Sequence, residues 1–236
     1  GLKGEGENVT KLVEKGKSQF AGPEISGKTL GLIGLGAIGR LVADSAIALG
    51  MKVVGFDAFL SDEAKALLNS QVQLVGSVED IYENADYISL HIPATADTKG
   101  SINENTILKM KDGVRILNFA RGELVNSKDL LKALESGKVS SYVTDFPTDD
   151  VIGVENVVAL PHLGASTPES EENCAYMAAV QMKGFLEKGN IKNSVNFPNV
   201  ILDDEGERIS VIHKADLNTN DILSVFTEKG VTVKAF

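Results

Sequence analysis

Short apolar runs recur along the first two thirds of the chain, separated by segments with helical spacing. The runs are Thr29–Gly34, Val53–Asp57, Val72–Val75, Tyr87–Ile92, Val114–Phe119, Tyr142–Phe146 and Val157–Pro161. Most are rich in Val and Ile, as strands buried on both faces should be. Between them, Ile38–Leu49, Asp62–Leu68, Val78–Asn84, Glu104–Met110 and Lys128–Ser136 read as helices. In the first of these Ile38, Leu41, Val42, Ala46 and Leu49 fall on one stripe, which predicts a buried face. Strand–helix alternation over more than 130 residues predicts an α/β fold built on a doubly wound, mostly parallel sheet.

A longer helix is expected over Pro168–Lys188. Ser166 or Thr167 can cap it, Pro168 suits its first turn, and Glu169, Glu171 and Glu172 favour its positive end. Cys174, Ala178, Met182 and Phe185 form its expected buried stripe, and Gly189 can end it. Asn190–Glu207 is polar and turn-rich. Beyond it, Arg208–His213 reads as a strand, Asn220–Lys229 as a helix and Val231–Ala235 as a strand, a short βαβ tail too small to fold comfortably alone. The resulting division is a domain over 1–192, a linker over 193–207 and a partial domain over 208–236. Glu7–Phe20 reads as a helix already under way and the chain closes on a strand, so a piece of a longer protein is expected.

Charge narrows the partners. The 236 residues carry a formal net charge of −10, which repels phosphate backbones and anionic lipids and argues against nucleic acid and membrane. One Cys (Cys174) and three scattered His offer neither an internal disulfide nor a zinc site, so no metal is expected. A reducing, cytoplasmic setting fits, and no signal peptide is visible.

The chemistry begins at TLGLIGLGAIGR, where Gly34, Gly36 and Gly39 make a G-x-G-x-x-G that follows a strand and opens a helix. Gly34 permits the tight turn, Gly36 lets the backbone approach a diphosphate, and Gly39 lets helix and strand pack closely. The N–H groups near Ala37 and Ile38 then face the anion, helped by the helix dipole. Asp57 ends the next strand, 18 residues after Gly39. A carboxylate there holds a ribose diol and repels a 2′-phosphate, which selects NAD over NADP. This is a Rossmann-type arrangement. Arg121 and His162 both fall just past the carboxyl ends of strands, where such folds bind ligands.

Four stretches, GKTLGLIGLGAIGR (27–40), SLHIPATADTKG (89–100), LNFARGELVN (117–126) and LPHLGASTPESEENC (160–174), resemble the nucleotide-binding domain of the D-isomer-specific 2-hydroxyacid dehydrogenases. The resemblance covers about residues 1–200. It implies an Arg–Glu–His triad, with Arg121 and His162 in two of the places. The third place departs from the pattern: TDFPTDD has no Glu, so Asp149 or Asp150 must stand in, and the alignment of Phe-Pro-Thr favours Asp149. Carried over with the triad are Phe119, Ala120 and Arg121 on the nicotinamide side, Asp145 at the carboxamide, Leu163, Gly164 and Ala165 after His162, and Pro93 and Thr98 over the cofactor. His91, inside a strand, is expected to be a satisfied core or cofactor-edge residue rather than a catalyst. In the family a substrate lobe precedes this domain. The resemblance therefore implies that this stretch binds NAD but turns over little of its phosphorylated 2-hydroxy acid substrate alone. It also implies a homodimer or homotetramer.

The tail resembles the first half of an ACT-type regulatory domain. His213 matches a serine-contacting His of serine-sensitive relatives, but Ala215 stands where an Asn belongs and Leu217, Asn218 and Thr219 replace the usual Pro-Gly. Two competing readings stand beside the dehydrogenase of a phosphorylated acid: a dehydrogenase of another 2-hydroxy acid, and a non-catalytic NAD-sensing or partner-binding module.

Overall fold

The computed structural model describes residues 2–202, 209, 211, 213 and 218–233. It divides into two compact units, Gly1–His162 and Leu163–Phe236. The first holds a seven-stranded sheet: β1 Thr29–Ile33, β2 Lys52–Phe56, β3 Val72–Leu74, β4 Tyr87–Leu90, β5 Val114–Asn118, β6 Val139–Thr144 and β7 Val157–Ala159. Their order is β3-β2-β1-β4-β5-β6-β7, and every neighbouring pair is parallel. All seven strands overlap the predicted apolar runs, but β6 begins at Val139, three residues before its run, and ends at Thr144, so Asp145 and Phe146 lie past it. Because the sheet is parallel throughout, the carboxyl ends of all strands share one edge. The winding reverses between β1 and β4, which opens the crevice where such sheets bind ligands.

The helices are α1 Val9–Gly16, α2 Ala37–Ala48, α3 Asp62–Ala66, α4 Val78–Asn84, α5 Glu104–Lys109 and α6 Ser127–Glu135. α1 lies between 3-10 turns at Gly6–Asn8 and Lys17–Phe20, so the predicted helix over 7–20 is broken into three pieces. Local chemistry sets the starts: Ser77 and Asp80 form a reciprocal capping box on α4, Asn103 does so with Thr106 on α5, and Asn126 caps α6. Side chains alternate across the pleat, so each strand feeds two cores. Leu30, Leu32 and Val53 pack with Ala43 and Ala46 of α2. Ile33, Val54, Ile88 and Ile116 pack with Ile81, Ile107 and Leu130 of α4, α5 and α6.

The inward face of α2 differs from the expected stripe. Gly39, Ala43 and Ala46 are buried, whereas Ile38, Leu41 and Leu49 are 67%, 63% and 60% exposed. The reason is close approach: a helix presses its smallest side chains against the sheet, and this turns the large ones outward.

The second unit begins with the turn Leu163–Ala165 and continues into α7, Pro168–Lys188. Thr167 caps α7 by accepting from the Ser170 N–H at 3.1 Å, and Gly189 closes it at φ +67°. The predicted buried stripe of Cys174, Ala178, Met182 and Phe185 is not found; no described residue of α7 is buried. Its apolar side chains are spread around the helix instead of along one line, with Tyr176, Met177, Val180, Met182 and Leu186 all exposed. Ile191 and Val200 pair antiparallel within the polar stretch. In the tail, α8 spans Thr219–Glu228 as expected. The described residues of the two flanking strand predictions, 209, 211, 213 and 231–233, are not in strands, and the remainder of those predictions, Ala215 and Leu217 lie outside the described residues. No described helix is long and apolar enough to cross a membrane.

Candidate functional site

Six strands deliver the candidate residues to one edge of the sheet. Gly34 follows β1, Asp57 follows β2, His91 follows β4, Arg121 lies three residues past β5, and Asp145 follows β6. His162, three residues past β7, completes the row.

The glycine turn fits a diphosphate on three independent grounds. Gly34 sits at φ +99° with its N–H on the Phe56 carbonyl at 2.8 Å, and a Cβ there would lie 2.5 Å from the His91 carbonyl oxygen. A Cβ on Gly39 would lie 2.1 Å from the Gly34 oxygen, so α2 can start this close to β1 only without a side chain. Gly36 is the opposite case. It caps α2 with no side-chain cap bond, and a Cβ on it would meet nothing within 4 Å. The start of α2, at Ala37 and Ile38, thus offers uncapped N–H groups to open space, as an anion site requires.

Asp57 is fixed beside this turn. Its Oδ2 accepts from the Leu35 N–H at 2.8 Å and its Oδ1 from the Phe59 N–H at 2.9 Å. An ionised carboxylate has about four acceptor positions, so two remain for a ribose diol. His91 is half-buried with its Nε2 on the Ser89 hydroxyl at 2.9 Å. Burial pushes its pKa down to about 4. It is a neutral, hydrogen-bonded wall of the turn, and it lies one residue past β4 instead of inside a strand. Thr98 donates to the Pro93 carbonyl at 2.6 Å and ties the 93–98 loop together.

At the other end of the row, His162 Nδ1 lies 2.8 Å from Asp145 Oδ2. The carboxylate can only accept, so Nδ1 carries the proton and Nε2 is left for chemistry. Asp145 Oδ1 is buried and has no hydrogen-bond partner. A buried carboxylate oxygen left open beside a half-exposed His suits the amide N–H of a nicotinamide carboxamide. The residues therefore fit NAD at both ends: turn and Asp57 for diphosphate and ribose, Asp145 for the carboxamide.

Asp149 does not take the place expected for it. It is exposed in the turn after Pro147, and Asp150 accepts from the Thr148 hydroxyl. Sheet register explains the outcome: Thr144 pairs with Ala159, so the residue directly after β6 meets the segment directly after β7. Asp149 is four residues farther along and beyond a proline.

Arg121 is exposed, with one guanidinium nitrogen on the Ala120 carbonyl at 2.7 Å. Its loop, which includes Phe119 and Ala120, is anchored from beneath by Asn118, which is fully buried. The Asn118 side chain donates to the Arg121 carbonyl at 2.9 Å and to the Tyr142 hydroxyl at 3.2 Å, and accepts from the Ala120 N–H at 3.2 Å. Burial raises the Tyr142 phenol pKa. Sequence reasoning missed Asn118, Tyr142 and Phe146; a buried Asn at the end of an apolar strand was the available signal for the first. Leu163, Gly164 and Ala165 form an exposed turn at the start of the second unit.

Residues 5–164 match the family described as D-isomer specific 2-hydroxyacid dehydrogenase, NAD binding domain, and the chain belongs to that family. Its cofactor is NAD. Among individual relatives it is similar to the D-3-phosphoglycerate dehydrogenase of Homo sapiens, 39% identical over 186 residues, covering 76% of this chain and 34% of that protein. The D-3-phosphoglycerate dehydrogenase of Bacillus subtilis (strain 168) is 38% identical over 209 residues, covering 85% and 39%. The chain thus spans little more than a third of the length of these curated relatives. An NAD-complexed D-isomer specific 2-hydroxyacid dehydrogenase from Lactobacillus delbrueckii ssp. bulgaricus aligns with TM-score 0.65 at 29% identity, covering 75% of this chain and 58% of that one.

Proposed function

We propose that the chain is the cofactor-binding and acid–base half of an NAD-dependent dehydrogenase that oxidises a D-2-hydroxy acid, with 3-phospho-D-glycerate as substrate and 3-phosphooxypyruvate as product. The observation that carries this reading is the His162–Asp145 pair, at 2.8 Å, on the same sheet edge as the glycine turn and Arg121. Oxidation of a secondary alcohol beside a carboxylate requires loss of a hydride from carbon and a proton from oxygen. NAD, when bound, supplies the hydride acceptor. His162 takes the hydroxyl proton at Nε2, and Asp145 holds the ring in place through Nδ1. Arg121 grips the substrate carboxylate in a two-pronged fork. Asp149 has no part in the pair that this geometry supports.

The choice of a phosphorylated acid is supported by the names of the relatives. In this reading residues 193–207 form a linker and 208–236 part of a regulatory domain. The enzyme works in the cytoplasm as a homodimer or homotetramer, for which the exposed Ile38, Leu41 and Leu49 of α2 supply an apolar face. The test is NADH formation by the full-length protein over a panel of D-2-hydroxy acids. The expected result is a kcat/KM for 3-phospho-D-glycerate at least about tenfold above lactate, glycerate or 2-hydroxyisocaproate. Preference for one of those would replace the substrate. NAD binding without turnover of any acid would replace the enzyme with a binding module.

A further inference from the structure

Phe146 stands between the two residues that the proposed chemistry depends on. The Arg121 guanidinium carbon lies 5.5 Å from the centre of its ring. The His162 imidazole lies 4.3 Å away, centre to centre, tilted by 37°. Both distances fall in the range where a ring attracts a cation or packs an imidazole. The backbone of Phe146 is itself fixed. Its N–H donates to Thr144 Oγ1 at 3.1 Å, and Thr144 is fully buried. On the other side, a Cβ on Gly122 would lie 3.1 Å from the Phe146 carbonyl oxygen, so the residue after Arg121 rests directly against Phe146.

We infer that Phe146 is a positioning residue, whose ring sets the spacing between the carboxylate-gripping Arg121 and the proton-accepting His162. Asp145 and Phe146 are consecutive, so the end of β6 orients His162 twice, by a hydrogen bond in the ring plane and by packing against the ring. Neither contact alone fixes an exposed imidazole: the hydrogen bond leaves rotation about its own axis, and packing leaves sliding. Arg121 meets the other constraint, since its single hydrogen bond to the Ala120 carbonyl fixes one nitrogen and Phe146 fixes the plane. Phe146 touches neither substrate nor cofactor in this account. It acts through its neighbours, and a ring of the same shape can replace it.

The inference rests on the dehydrogenase reading, and two measurements keep the two separable. First, His162 ring-proton chemical shifts are read by NMR in the chain without cofactor. The Phe146 ring displaces them from free-imidazole positions, Phe146→Leu returns them, and Phe146→Tyr does not. Unchanged shifts in Phe146→Leu overturn the inference whatever the activity. Second, steady-state kinetics are measured on the full-length protein. Phe146→Leu lowers kcat by about 10- to 100-fold, the cost of misplacing reacting groups by up to an ångström. The Kd for NAD stays within about twofold of wild type, and Phe146→Tyr recovers most of the rate. If kcat is kept, or if NAD affinity and melting temperature fall with it, Phe146 is a packing residue and the inference is wrong. His162→Asn run alongside reads the dehydrogenase proposal itself: full turnover in that variant refutes the proposal and leaves the NMR result standing.

Discussion

Gly39→Ala will cost the chain its affinity for NAD. The added methyl would sit 2.1 Å from the backbone oxygen of Gly34, and no flexible side chain is there to yield. Gly34 cannot retreat, because its own N–H holds the Phe56 carbonyl and its Cα faces the His91 carbonyl. The start of α2 must therefore tilt off β1 and carry the N–H groups of Ala37 and Ile38 with it. Losing two hydrogen bonds to a charged diphosphate costs about 3–6 kcal/mol, so the Kd for NAD should rise at least about 100-fold. Overpacking also destabilises the fold by about 1–3 kcal/mol. Gly36→Ala separates the two effects. Space around Gly36 is open, so its melting temperature should match wild type while NAD affinity falls, because the methyl occupies room meant for phosphate oxygens. Wild-type NAD affinity in Gly39→Ala, by calorimetric titration, would refute the assignment of the turn.

His162→Asn should sharply lower turnover in the full-length protein while leaving cofactor binding intact. Asparagine can keep a hydrogen bond to Asp145 but cannot take a proton from an alcohol. General-base catalysis contributes about 10²–10⁴-fold, and kcat should fall by that factor. The diphosphate and ribose contacts lie at the far end of the sheet edge, so the Kd for NAD should stay within about twofold. Loss of NAD binding together with turnover would mean that His162 holds structure instead of moving a proton.

The fold was legible because its information is local. β1 and β2 are nearly continuous apolar runs because both their faces are covered, β4 and β5 hold only Ser89, Arg115 and Asn118 among their apolar residues, and Gly34, Gly36, Gly39 and Asp57 have the spacing of a strand–turn–helix–strand unit. The failures have physical causes. Hydrophobicity put Ile38 and Leu41 inside, but α2 packs by smallness through Gly39 and Ala43. Alignment put Asp149 beside His162, but the pairing of β6 with β7 decides which acid arrives there, and register cannot be read along the chain. Phe146 reads as core in sequence. Only the loop after β5 and the segment after β7, brought together by the sheet, show it between an arginine and a histidine.

Paired titrations of the chain with NAD and with NADP bear most directly on the cofactor site. A 2′-phosphate would be placed against Asp57, whose Oδ2 is held toward the turn by the Leu35 N–H and whose Oδ1 accepts from the Phe59 N–H. Repulsion of about 1–4 kcal/mol between charges a few ångströms apart predicts NAD binding tighter by about fivefold to nearly a thousandfold, with Asp57→Ala narrowing the gap. Equal affinity for the two dinucleotides, or a gap untouched by Asp57→Ala, would contradict the account.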